Sequence, residues 1–150
     1  MADNDFMAQA LFEARSAAAR GEVPVGAVVV AFESGEVLAA AGNRVEEIPD
    51  PTAHAEVLAI RAAAAARGEA RLPDCDLYVT LEPCALCATA ISFARIRKLI
   101  FGAYDPKGGG VEHGPRIFRQ ATTHHAPEVI GGVMERACGD LLTAFFAERR

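Results

Sequence analysis

Three short apolar runs, rich in β-branched and aromatic residues, constrain the fold of this chain most strongly. They are VGAVVVAF over residues 25–32, LYVTL over 77–81 and KLIFGAY over 98–104. Runs of this length without polar alternation are typical of strands that are buried on both faces of a sheet. Because segments with helical periodicity alternate with strands in the middle of the chain, we expect parallel strands there, joined by right-handed crossovers.

The remaining segments complete a predicted order of α-β-β-α-β-α-β-loop-β-α. Ser34-Gly35 is a turn signal, so residues 37–43 are predicted to form a hairpin with the first run. Thr52 is a predicted N-cap, and Pro83 is placed in the first turn of a helix. The other predicted elements are helices over 3–20, 53–66, 83–94 and 134–145, a glycine-rich loop over 105–115, a helical turn over 117–120 and a strand over 129–130. Together they predict a three-layer α/β/α sandwich around a five-stranded mixed sheet.

The composition is that of a globular chain, with 150 residues, 51% hydrophobic and 23% charged, which fits a single domain over residues 1–150. No apolar run is long enough to span a bilayer, and the first residues lack the order of a signal peptide, so we expect a cytoplasmic protein without a membrane partner. Disulfides are rare in that compartment. Cys84 and Cys87 therefore indicate a metal or redox site, whereas Cys75 and Cys138 are predicted to be small buried side chains.

Charge is distributed unevenly along the chain. The net charge is −5, but residues 95–119 hold six basic and two acidic side chains, so that segment carries +4 and the rest −9. A phosphate responds to charge within a Debye length, so the segment could form a basic face on an acidic protein. On charge alone, an ordinary solvated surface is the preferred interpretation.

Cys84 and Cys87 lie three residues apart at the start of a predicted helix, where they share one face and can bind one ion. Unpaired backbone N–H groups and the helix dipole at this end favour thiolate, the form that binds metal. A Cys-x-x-Cys pair also occurs in thioredoxin-like redox sites and in structural zinc sites. The chain has no other feature of the redox motif, and no second Cys-x-x-Cys or spaced His pair that would complete four structural ligands.

His54 and Glu56, at the start of another predicted helix, supply the missing groups. One His and two Cys form a known catalytic zinc set, which leaves the fourth position for water. Glu56 lies about 200° from His54 around a regular helix, so it suits a general base better than a second ligand. Because two thiolates cancel the charge of zinc, the reaction depends more on a carboxylate that moves a proton from water to the leaving amine.

These residues form a His-x-Glu…Pro-Cys-x-x-Cys signature, which is established for zinc nucleobase deaminases, tRNA adenosine deaminases among them. The chain resembles the bacterial tRNA-specific adenosine deaminases over nearly its whole length. The matching segments are EVPVGAVVV (22–30), GNR (42–44), DPTAHAE (50–56), LYVTLEPCALC (77–87), FARIRKLIFGAYDPKGG (93–109) and LLTAFF (141–146).

The resemblance implies a cytidine deaminase-like fold and one zinc ion per subunit, held by His54, Cys84 and Cys87, with Glu56 as the catalytic proton shuttle. It implies a homodimer that acts on a tRNA anticodon stem-loop and converts adenosine at the wobble position to inosine. It further implies that Asn43 binds the target nucleotide. The pocket walls would then be formed by Val25, the Ala55 backbone and Pro83, and Asp105 and Lys107 would face the RNA.

The last predicted helix ends in two aromatic and two basic residues, Phe145, Phe146, Arg149 and Arg150. Phe145 lies on the apolar stripe and is predicted to be core, so Phe146 and Arg149 are the better candidates for stacking a base and binding RNA backbone. Residues 108–115 depart from the Gly-Ser element of many family members, so RNA contacts are not carried over to them. His113 in this segment is predicted to be a surface or loop residue.

Two alternatives remain open at this point. An enzyme of the same superfamily that acts on a free base or nucleoside, such as guanine or cytosine, would have the same zinc core. The Asp105-Pro106-Lys107 stretch and the basic segment argue against it. A non-enzymatic zinc module that binds nucleic acid is the second alternative, and its metal should be closed by four ligands.

Overall fold

The computed structural model describes residues 3–149 and contains a five-stranded mixed sheet. Its strands are β1 (Gly26–Ala31), β2 (Val37–Gly42), β3 (Cys75–Leu81), β4 (Lys98–Ala103) and β5 (Glu128–Ile130). They lie in the order β2-β1-β3-β4-β5, with β1 antiparallel to both of its neighbours and β3, β4 and β5 parallel. The predicted mixed sheet and hairpin are confirmed.

Helices cover both faces of this sheet. They are α1 (Asp3–Ala19), α2 (Ala55–Arg67), α3 (Ala85–Ala94) and α4 (Glu135–Ala147), with a short 3-10 turn at Ile117–Arg119. Val28 and Val30 of β1 pack into a core with α1 and α4, whereas Val29 packs into a second core with α2 and α3. Successive strand residues point to opposite faces, so β1 is buried on both sides and the predicted three layers are confirmed. Cys75 and Cys138 are buried, as predicted.

The starts of α2 and α3 differ from the prediction. Their N-cap residues are His54 and Cys84, and neither side chain caps its own helix. Thr52 instead donates its backbone N–H and its hydroxyl to Asp50 Oδ1, both at 2.8 Å, in the turn before α2. Pro83 precedes the N-cap of α3 rather than lying in its first turn. The predicted N-cap at Thr52 was therefore wrong, because the side chains at the true N-caps are directed toward each other.

The topology brings several chain segments to one edge of the sheet. Strands β3 and β4 are parallel, so both end at this edge, where α3 and the glycine-rich loop follow them. The crevice beyond the carboxyl ends of such strands is the usual place for a ligand site. Within residues 3–149, no helix has the length and apolar character needed to cross a membrane.

Candidate active site

Three donor atoms converge where α2 and α3 begin. Nδ1 of His54 lies 3.5 Å from Sγ of Cys84 and 3.4 Å from Sγ of Cys87. Tetrahedral zinc with ordinary bond lengths separates a nitrogen ligand from a sulfur ligand by about 3.5 Å, so the three side chains fit such an ion. Among residues 3–149, this is the one group of His, Cys and carboxylate side chains with three donor atoms within 4.8 Å of one another. The choice of Nδ1 over Nε2 was not predictable from spacing.

The two thiols differ in acidity. A hydrogen bond from the Cys87 thiol, aided by the Cys87 backbone N–H and by His54, outweighs burial and lowers the pKa of Cys84 to about 5. The pKa of Cys87 is raised by that same shared proton, by burial and by the nearby Glu56. Cys84 is thus a thiolate at neutral pH, and metal binding would displace the proton of Cys87.

Glu56 lies in the first turn of α2 and is 4% exposed. Burial, reinforced by the charge of Cys84, raises its pKa to about 7 against the opposing effects of backbone hydrogen bonding and His54. A carboxyl group with this pKa can both accept and donate a proton at neutral pH, as general acid–base catalysis requires.

A pocket of about 490 Å³ opens onto His54, Glu56 and Cys84. Four of the predicted substrate residues line it, namely Val25, Asn43, Asp105 and Arg149. The structure therefore gathers residues from the sheet edge, from both ligand-bearing helices and from α4 around one cavity. Cys87 is fully buried behind the cavity wall.

Asn43 is held in a fixed orientation. Its Oδ1 accepts a hydrogen bond from the Ala55 backbone N–H at 2.8 Å, and its own backbone N–H donates to the carbonyl of Val25 at 3.2 Å. Because the amide oxygen is directed at the Ala55 N–H, the amide nitrogen is the donor that Asn43 offers to the pocket. The Ala55 backbone N–H thus contributes to the pocket by orienting the Asn43 amide.

The other predicted substrate residues lie around this cavity rather than in its wall. Pro83 is buried, and its carbonyl accepts the backbone N–H of Gly110 at 2.8 Å. Lys107 is exposed on the loop after β4. Phe146 is 48% exposed and packs edge-on against Phe145, with ring centroids 5.4 Å apart.

Phe145 has a second role that the sequence did not indicate. It is buried, as predicted, but it also lines the pocket. The guanidinium carbon of Arg149 lies 3.5 Å from the centre of its ring, a cation–π contact at the pocket mouth. Arg150 lies outside the described residues.

The basic segment 95–119 does not form one surface. Strand β4 spans about 20 Å at the usual rise per residue, so it separates residues at its start from the loop at its end. At the start, Arg97 forms a two-pronged ion pair with Asp76, with contacts of 2.9 and 2.7 Å. Of the residues in this segment, only Asp105 and Gly108 line the pocket, and Lys107 lies between them in the chain.

Two buried carboxylates at the pocket were also missed. Glu22 accepts backbone N–H groups of Glu46 and Glu47, at 3.1 and 2.8 Å. Burial by itself raises the pKa of Glu82. Hydrogen bonds from the backbones of Asp105, Val111 and Glu112 and from the His113 side chain outweigh burial and hold that pKa below its usual range. A glutamate directly after a buried apolar strand was the sequence signal that could have identified Glu82.

A family model for MafB19-like deaminases matches residues 1–144. The fold also matches a solved structure of a guanine deaminase from Nitrosomonas europaea. The TM-score is 0.85 and the sequence identity 25%, over 97% of this chain and 85% of the other. The α/β/α sandwich and the site at its edge thus define a deaminase.

Two curated relatives narrow this class. A tRNA-specific adenosine deaminase of Agrobacterium fabrum (strain C58) is 58% identical over 145 residues, which cover 97% of this chain and 94% of the relative. One of Bacillus subtilis (strain 168) is 45% identical over 148 residues, 99% and 91% of the two chains. The chain belongs to the family of tRNA-specific adenosine deaminases.

A solved structure agrees with this placement. It comes from a study of A-to-I editing by tRNA:A34 deaminases at the wobble position of transfer RNA. Its TM-score is 0.89 at 58% identity, over 92% of this chain and 99% of the other. The cytidine deaminase-like fold expected from the sequence is confirmed.

Proposed function

We propose that this protein is a zinc-dependent hydrolase with one deaminase domain over residues 1–150, which converts adenosine to inosine at the wobble position of a tRNA anticodon loop. The observation that carries the proposal is the convergence of the donor atoms of His54, Cys84 and Cys87 at a pocket that Glu56 also lines. Membership of the tRNA-specific adenosine deaminase family supports the substrate, and a tRNA substrate is consistent with the cytoplasmic location expected above.

His54, Cys84 and Cys87 would hold one zinc ion per subunit. Their nitrogen–sulfur separations of 3.5 and 3.4 Å support this assignment. Three protein ligands are the number typical of catalytic rather than structural zinc, which disfavours the alternative of a non-enzymatic module. Bound zinc supplies a Lewis acid, which makes water a nucleophile near neutral pH.

Glu56 is assigned the proton transfers. Deamination consumes one water molecule and releases ammonia, so a proton must pass from the attacking water to the amino group leaving C6 of the purine. The Glu56 carboxylate is buried beside the ligand cluster, and its pKa near 7 lets it take that proton and give it back at neutral pH.

Binding of the target nucleotide is assigned to Asn43, Val25 and the segment around Pro83. The Asn43 amide nitrogen is a donor whose direction is fixed by the Ala55 N–H. A pocket of about 490 Å³ has room for a single extruded nucleotide. Bases in an anticodon loop are unpaired, so extrusion costs less than it does from a duplex.

Binding of the RNA outside the target nucleotide is assigned to residues at the rim of the pocket. Asp105 lines the pocket, Lys107 is exposed on the same loop, and Arg149 lies over Phe145 on the α4 side. Cationic side chains beside an aromatic ring are what single-stranded nucleic acid sites use for phosphates and bases. Phe146, 48% exposed, is available to stack a flanking base.

A homodimer is part of the proposal, on the strength of the family resemblance. Leu86 and Phe93 on α3 are 42% and 63% exposed, and such apolar surface is what homodimer interfaces bury. Sedimentation equilibrium should give a mass of two chains. A single-chain mass at micromolar protein would contradict the dimer without affecting the assignment of the reaction.

The test of the function compares substrates directly. The purified protein is incubated with an anticodon stem-loop that carries adenosine at the wobble position, and in parallel with free guanine and cytidine. Inosine at the wobble position, with no turnover of the small molecules, is the expected result. Guanine is the competitor that matters most, because a guanine deaminase shares the fold. Turnover of guanine without RNA editing would overturn the proposal.

A further inference from the structure

Glu82, directly after β3, has a fully enclosed side chain. All of its side-chain hydrogen bonds come from the loop that follows β4. Oε1 accepts the backbone N–H of Asp105 at 3.0 Å and faces His113 Nδ1 at 2.8 Å. Oε2 accepts the backbone N–H groups of Val111, Glu112 and His113, at 3.2, 2.9 and 3.1 Å. One carboxylate thus joins the beginning of the loop to its end.

The middle of this loop lies directly on the segment that carries Cys84. A Cβ on Gly109 would lie 2.3 Å from Oε2 of Glu82, and one on Gly110 would lie 2.6 Å from the backbone nitrogen of Ala85. Only glycine permits both approaches. Gly109 and Gly110 are therefore fitted to Glu82 and to the start of α3.

This loop also forms part of the pocket wall. Asp105 and Gly108 line the pocket, and Asp105 Oδ1 accepts the backbone N–H groups of Lys107 and Gly108, at 3.2 and 2.9 Å. The turn is thus hydrogen-bonded internally, and it is held at the pocket by the bonds from Glu82 to the loop ends and by the bond from the Gly110 N–H to the Pro83 carbonyl. The hydrogen bonds of the Glu82 side chain reach only the loop, whereas His54 and Cys84 contact each other.

We propose that Glu82 is a positioning residue that fixes loop 105–113 where it meets the RNA, and that it sets affinity for the RNA rather than the rate of the chemical step. This inference rests on the proposed function. Glutamine cannot replace Glu82, because its amide has one accepting oxygen and one donating nitrogen. In either orientation the nitrogen faces N–H donors of the loop.

The test is Glu82→Gln, with Tyr78→Phe as the matched control. Tyr78 is 4% exposed and loses one hydrogen bond, whose partner Asp3 belongs to α1 and not to the loop. Amide hydrogen exchange at residues 105 and 111–113 should quicken at least about tenfold in Glu82→Gln only. KM for the stem-loop should rise about tenfold or more, with kcat within about threefold and zinc content unchanged. His113→Ala, which leaves the backbone donors in place, should raise KM less.

Three results would overturn the inference. They are unchanged exchange in Glu82→Gln, an equal rise of KM in Tyr78→Phe, or a fall in kcat and zinc content at constant KM. The last would make Glu82 a support of the ligand segment instead. Hydrogen exchange needs no substrate, so a protein that edits no RNA would refute the proposed function while the exchange data still decide whether Glu82 holds the loop.

Discussion

Glu56→Gln is expected to stabilise the metal-free protein at alkaline pH while it removes most of the catalytic activity. Burial raises the pKa of Glu56 from 4.5 to about 7. Stability that depends on the protonated carboxyl is therefore fully present below pH 4.5 and is lost as the pH rises through 7. This difference in pKa corresponds to about 3 kcal/mol at most, which a neutral glutamine of the same shape does not lose.

The assay is urea unfolding of both proteins after chelation, at pH 4.5 and pH 8, with Glu33→Gln as the control because Glu33 is exposed. The free energy of unfolding of Glu56→Gln should exceed that of the wild type by up to about 3 kcal/mol at pH 8, and the gap should close at the lower pH. Glu33→Gln should follow the wild type at both.

The same variant tests catalysis. Loss of a general acid–base group typically lowers kcat by about 10²- to 10⁴-fold. Zinc content should stay at one ion per chain, because Glu56 is not a ligand in this account. Equal stability of Glu56→Gln and wild type at pH 8 would refute the argument from burial, and loss of zinc would make Glu56 a ligand.

Three further predictions concern the metal, the core and the RNA. Cys87→Ser should lower zinc content by atomic absorption and lower Tm, since it removes one of three donors; wild-type zinc content would contradict the assignment. Burial, together with the hydrogen bond to Asp3, raises the pKa of Tyr78, so stability from its neutral hydroxyl is present below pH 10 and lost above it. Tyr78→Phe lacks the hydrogen bond to Asp3 and should be the less stable protein at pH 7, with the gap narrowing above pH 10; a constant gap would contradict this. RNA affinity should fall as salt rises, and Lys107→Gln should reduce the slope of log affinity against log salt by about 1, whereas an unchanged slope would remove Lys107 from the RNA face.

Much of the fold was predictable because its signals are local. Strand β1, which forms within the first apolar run, is buried at every position, and α4 buries Cys138 and Phe145 from its predicted stripe. The starts of α2 and α3 were not predictable from propensity. Thr52 is a better N-cap residue than His54, but the contacts between His54 and Cys84, thirty residues apart, place the ligands at the N-caps.

In the candidate site too, some residues were predictable from the sequence and others were not. The residue types, their spacing and a known signature predicted His54, Cys84 and Cys87 as ligands and Glu56 as the proton shuttle, and the structure brings the three ligand side chains together. Glu82 was missed because its partners lie in a loop that returns to the end of β3 only in the folded chain. A charge count along the sequence left open whether the basic segment forms one face, since it does not record that β4 separates the two ends of the segment.

Hydrolytic deamination of adenosine in RNA transfers an oxygen atom from water to the base, and an isotope label follows that atom. The wobble-adenosine stem-loop is incubated with the zinc-loaded protein in water enriched in heavy oxygen, and the nucleosides are analysed by mass spectrometry. We predict inosine at the wobble position with one heavy oxygen atom, and none with Glu56→Gln on the same time scale. Unchanged adenosine in the presence of the zinc-loaded wild type, or inosine without the label, would contradict the account.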